Sequence, residues 1–196
     1  IGWQNLDKQL KNSYDARTQT SHKFWEAPYI KVEDNSVDFV FNEHFIEHLD
    51  EVRGFIFLQE IYRVLKPGGV LRICAPSLDK YVESFLKEDI RGLSFDENPK
   101  FRNGTQFLNY AIYGEGLRPN TRIEYLKNLK LKNFETFKSP PHDHRYLYSE
   151  KDLKEKLNFI GLKEAYAAEW GVSQYEDLIG VEHHKGLLEL YVEAVK

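Results

Sequence analysis

The chain has 196 residues, of which 41% are hydrophobic and 14% aromatic, enough to bury one sizeable core, so a single domain is expected. Lys and Arg number 27 against 31 acidic residues, and the formal charge of −4 gives no overall attraction to a nucleic-acid backbone or an anionic membrane. No apolar run reaches the roughly 20 residues of a membrane span, no charged-then-apolar leader is read, and the lone Cys74 cannot close an internal disulfide, so a reducing cytoplasm is the expected compartment. The start at Ile1 and the lack of any methionine read as a piece of a longer sequence.

In chain order, Gly2 to Leu6, Lys23 to Glu26, Val37 to Phe41 and Val70 to Cys74 read as strands, being rich in β-branched or aromatic residues and bounded by turn formers or charges. Between the last two, Val52, Phe55, Ile56, Leu58, Ile61, Tyr62 and Leu65 recur at three- and four-residue steps and predict a helix from Leu49 to Leu65. Lys66-Pro67-Gly68-Gly69 then stops it, because proline cannot continue a helix and paired glycines permit a tight reversal. Strand, helix, turn, strand is a βαβ unit, which places Val32 to Pro76 in an open, doubly wound α/β sheet. A short helix is expected from Leu78 to Leu86. Residues 87–141 read as a polar insertion with helices near Gln106 to Tyr113 and Arg122 to Leu131, and with Gly114-Glu115-Gly116 as a flexible loop. Ser149 is an N-cap candidate for a helix running to Phe159 and stopping at Gly161. Leu162 to Trp170 and Leu187 to Val195 read as strands, the second with Leu188, Leu190, Val192 and Ala194 on its more buried face.

Three stretches carry a resemblance: Asp34-Asn35-Ser36-Val37-Asp38-Phe39-Val40, then Glu47-His48-Leu49, then Glu60 to Gly69 followed by Leu71-Arg72-Ile73. Together with Arg145-Tyr146-Leu147-Tyr148-Ser149-Glu150 and Gly161-Leu162, the chain resembles the class I methyltransferases, and more narrowly a bacterial branch of the methyltransferase-11 type. That resemblance implies an α/β, Rossmann-like fold: a mostly parallel open sheet with flanking helices and an antiparallel C-terminal strand pair. It implies S-adenosylmethionine as cofactor and a division into a nucleotide-binding part at 1–86, an insertion at 87–141 shaping the substrate site, and a C-terminal helix and strands at 142–196. Asp7 matches the acidic residue that accepts hydrogen bonds from the ribose hydroxyls. Glu26, with Ala27 beside it, stands where the family has an Asp facing the adenine amino group. Asn42, Glu43 and His44 would border the methionine part of the cofactor. The family's first strand and glycine-rich loop are expected just upstream of Gly2.

Methyl transfer from a sulfonium asks the protein to position the acceptor and take a proton. His144, in Pro140-Pro141-His142-Asp143-His144-Arg145-Tyr146, is the candidate base, since imidazoles beside a carboxylate titrate near neutrality. Tyr146 is the candidate for lining the acceptor pocket, and the acceptor expected is a small molecule or saccharide. Two other readings compete. His44-Phe45-Ile46-Glu47-His48 matches the H-x-x-E-H pattern of zinc metallohydrolases, two histidines sharing one helical face, although its position in the βαβ unit argues for no metal. A non-catalytic methyltransferase-like binding domain is the other. His183-His184 reads as a loop or substrate-facing rim, and Lys127, Lys130, Lys132 and Lys138 as a solvated basic face.

Overall fold

The computed structural model describes residues 4–7, 13–15 and 20–24 as main chain, and residues 27–87, 104–105, 108, 112, 144–183 and 185–196 with their side chains. Strands β1 (Gln4–Asp7), β2 (Ser13–Asp15) and β3 (Thr20–Phe24) form one sheet in the order β1-β3-β2, β1 and β3 running parallel. A second sheet has the order β4-β5-β7-β6, from β4 (Val37–Glu43), β5 (Leu65–Pro76), β6 (Lys163–Ala167) and β7 (Glu189–Val195). In it β4 and β5 are parallel, while β7 runs antiparallel to both β5 and β6. The α/β class and the antiparallel C-terminal pair are as expected.

The connection between β4 and β5 is helix α1 (Glu51–Val64), with Asp50 as its cap accepting from the Arg53 N–H at 3.0 Å. Its buried face, Gly54, Phe57, Leu58, Ile61 and Val64, follows the three- and four-residue period and joins one core with Leu71, Ile73, Leu153, Leu157, Leu190 and Val192. The helix ends one residue earlier than the periodicity predicts, because Leu65 is already extended and pairs with Val37. Arg63, on the last turn, reaches back to the carbonyls of Ile30 and Val32 at 2.6 and 2.8 Å, and Glu60 accepts from the Ile30 N–H. The pair thus fastens the stretch after Ala27 to α1.

Helices α2 (Leu78–Leu86) and α3 (Glu150–Phe159) are capped by serines, Ser149 as predicted, accepting from the Asp152 N–H, and Ser77, which the sequence reading did not single out, accepting from the Lys80 N–H. The two starts are bridged: Tyr148 pairs with Ser77, its carbonyl accepting from the Leu78 N–H at 2.9 Å. The wholly buried Tyr148 ring points its hydroxyl at Gly54, where an added Cβ would overlap the oxygen. Of the expected helix at 106–113, positions 108 and 112 are described and helical; the one at 122–131 and the basic lysines lie outside the described residues. Strand β7 differs most from expectation. Residues 189–194 are buried on both faces, so Glu189, Tyr191 and Glu193 are inside the protein as fully as Leu190 and Val192. No described helix is long and apolar enough to cross a membrane.

Candidate active site

Strands β4 and β5 end side by side, Asn42 opposite Ile73 and Glu43 opposite Cys74. The chain leaves β4 through His44, whose φ of +47° lies in the left-handed region and costs a non-glycine residue about 1 kcal/mol. Three contacts hold it there. Its N–H donates to the Cys74 carbonyl at 3.0 Å, its Nε2 lies 2.9 Å from Glu189 Oε1, and its Nδ1 lies 3.3 Å from Glu47 Oε1.

Glu189 is buried, and its Oε2 accepts from the Tyr191 hydroxyl at 2.6 Å, the Gly186 N–H at 3.0 Å and the Cys74 thiol at 3.6 Å. Burial disfavours the His44 imidazolium, but the hydrogen bonds to Glu189 and then Glu47 outweigh it and raise the pKa from 6.5 to about 10. Burial likewise works against the Glu189 carboxylate, yet the bonds from His44 and Tyr191 keep it below the ordinary 4.5. His44 is therefore a cation at neutral pH. Burial and then the Glu189 charge push the Cys74 thiol up, which keeps it protonated and unreactive.

Glu47 is wholly buried in a single 3-10 turn, Ile46–His48. Its Oε1 serves His44, while its Oε2 accepts no hydrogen bond among the described residues. Its main-chain carbonyl accepts from the Arg145 and Tyr146 N–H groups at 2.7 and 3.2 Å, which draws residues 144–146 over the turn. As a result the His144 ring comes to rest 5.2 Å from the His48 ring, and His48 Nε2 lies 3.9 Å from Glu47 Oε1. His44 precedes the turn, so the common helical face that the H-x-x-E-H reading requires of His44 and His48 does not form.

Among the other predicted residues, Glu43 is pinned, both carboxylate oxygens accepting from the His183 N–H at 2.9 and 3.1 Å. Asn42 is 7% exposed, and its buried Oδ1 has no donor among the described residues. Tyr146 turns its hydroxyl to Asp152 and Lys156 of α3, at 3.2 and 3.4 Å, and packs edge-on against Tyr148. Asp7 is the last residue of β1, in the other sheet. Ala27 packs against the core and is joined to Pro28 by a cis peptide bond. Glu26 and His184 lie outside the described residues. The structure thus gathers Asn42, Glu43, His44 and, through Glu47, His144. It adds Glu189, which sequence reasoning missed; the signal was an acidic residue within an otherwise strongly apolar strand.

Residues 5–73 match the family model described as a methyltransferase domain. The matched segment, 69 of the 196 residues, is similar to that family. Two solved structures share the fold, and a third is more distantly similar. The chain aligns with a SAM-dependent methyltransferase from Methanosarcina mazei at a TM-score of 0.52 and 13% identity, over 100% of this chain and 82% of that one. A SAM-dependent methyltransferase from Archaeoglobus fulgidus gives 0.51 and 14%, over 98% and 75%. One from Thermotoga maritima, described as a possible histamine N-methyltransferase, gives 0.45 and 16%, over 92% of this chain and 66% of that one. No curated protein matches.

The aligned proteins from Methanosarcina mazei and Archaeoglobus fulgidus are described as SAM-dependent, and one feature of this chain suits such a cofactor. Ligands of open α/β sheets lie beyond the carboxyl ends of the parallel strands. There, at the end of β4, Asn42 offers a buried acceptor that lacks a protein donor among the described residues.

Proposed function

We propose that the chain transfers the methyl group of S-adenosylmethionine to a small-molecule or saccharide-type acceptor in the cytoplasm. The reading is carried by the buried Asn42 oxygen at the carboxyl end of a parallel strand, inside the segment that matches the family. When bound, the cofactor supplies an electrophilic methyl carbon on a sulfonium, and the chain's own residues bind, orient and move a proton. In this reading Asp7 accepts from the ribose hydroxyls, Glu26 and Ala27 border the adenine, and Asn42, Glu43 and His44 border the amino-acid end. His44, held as a cation by two carboxylates, orients and does not accept protons. The proton acceptor is then His144, beside the His48 ring, with Tyr146 at the acceptor side and residues 87–141 shaping the pocket in a single domain.

Calorimetric titration of the chain with S-adenosylhomocysteine tests this. Binding with a raised melting midpoint is expected, since a ligand taken up only by the folded state stabilises it. Asn42→Ala should weaken that binding about tenfold, the cost of one buried hydrogen bond. The absence of both binding heat and a midpoint shift at millimolar ligand would sink the reading.

A further inference from the structure

Glu47, His48 and His144 each present a ligand atom, and these atoms all lie within 4.8 Å of one another. We propose that these three residues form a binding site for one divalent first-row transition cation. Two imidazoles and a carboxylate are a donor set that such ions accept, and three protein ligands leave a position for water or another ligand.

Independent support comes from Glu47 itself. Its side chain is wholly buried, yet Oε2 accepts no hydrogen bond among the described residues. A buried carboxylate oxygen left in that state is unfavourable unless something positive meets it. The other oxygen is braced by His44, which Glu189 braces in turn. Ligating carboxylates are commonly fixed by such outer partners. Bonds of about 2.0 to 2.2 Å would bring the three ligand atoms closer together than they now stand. His48 and His144 are both half-buried.

The site does not depend on the methyl-transfer reading. With an ion bound His144 is a ligand, and its role as proton acceptor belongs to the metal-free chain.

The test is a competitive titration of the chelator-stripped chain with zinc against a chromophoric chelator. One equivalent should bind, and His48→Ala and His144→Ala should each weaken it by at least about tenfold, while Cys74→Ala leaves it unchanged. Circular dichroism checks that the variants fold. Cobalt(II) bound to the unmodified chain needs no variant: visible ligand-field bands without a thiolate charge-transfer band are expected. The proposal is overturned if no stoichiometric zinc binds, if the histidine variants bind as well as the parent, or if removing Cys74 abolishes binding.

Discussion

Strand β7 carries two buried carboxylates on one face, Glu189 and Glu193, and the chain neutralises them in opposite ways. Glu193 meets Arg72, whose side chain is wholly buried. All five Arg72 N–H donors are spent, on Glu182, Glu193 and the carbonyls of Glu169 and Val172, and Tyr166 adds its hydroxyl to Glu193. Glu189, near the carboxyl end of β5, meets instead a histidine whose side chain is 30% exposed. A guanidinium cannot lose its proton in water at any relevant pH, whereas an imidazolium can. The first cluster fastens residues 169–182 to the sheet. The second keeps a charge that can change, beside the place where a ligand would sit.

Arg72→Met should separate the two most sharply, because it leaves Glu182 and Glu193 buried without a counter-charge. A loss of about 3 to 5 kcal/mol is expected from the urea midpoint. A loss under about 1 kcal/mol would mean that the cluster is solvated. Glu189→Gln keeps the shape and removes one charge from an open cluster, and should cost about 1.5 to 3 kcal/mol, the range for a charged hydrogen bond. Melting at graded pH probes the same contrast without altering the Arg72 cluster. The raised pKa of His44 means that its contribution is fully present below about 6.5 and is lost as pH climbs through about 10. The lowered pKa of Glu189 means that its contribution is present above 4.5 and is lost as pH falls through its depressed value. Relative to the parent chain, His44→Gln should therefore flatten the alkaline limb of the melting curve; an unchanged limb would refute the charged pair. Tyr166→Phe should be mildest, about 1 kcal/mol for one hydrogen bond, with no effect on S-adenosylhomocysteine binding.

The comparison also shows what a single sequence reveals. Helix α1 and its stop before the paired glycines, the serine cap of α3, and the parallel pair β4 and β5 were all legible, because each depends on local sequence pattern. Glu189, Arg72 and Glu193 were not. Period-two reasoning assigns the polar set of a strand to solvent, and tertiary contacts, from residues 169–182 at Arg72 and from His44 at Glu189, reverse that assignment. His44 was legible as a site residue, but its partner lies 145 positions away. The H-x-x-E-H spacing suggested a local pair that the left-handed turn at His44 takes apart.

One consequence follows from the Tyr148 hydroxyl set against bare helix backbone at Gly54. With no side chain between them, the contact works as a keyed joint: α1 cannot roll about its axis without lifting Tyr148. Tyr148 is bridged to the cap of α2 and adjoins the cap of α3, and the Glu150 N–H donates to Asp79 across the same gap. Three helix starts therefore share one mechanical reference, and a disturbance of the Glu47 turn would be felt by them as a single rigid piece.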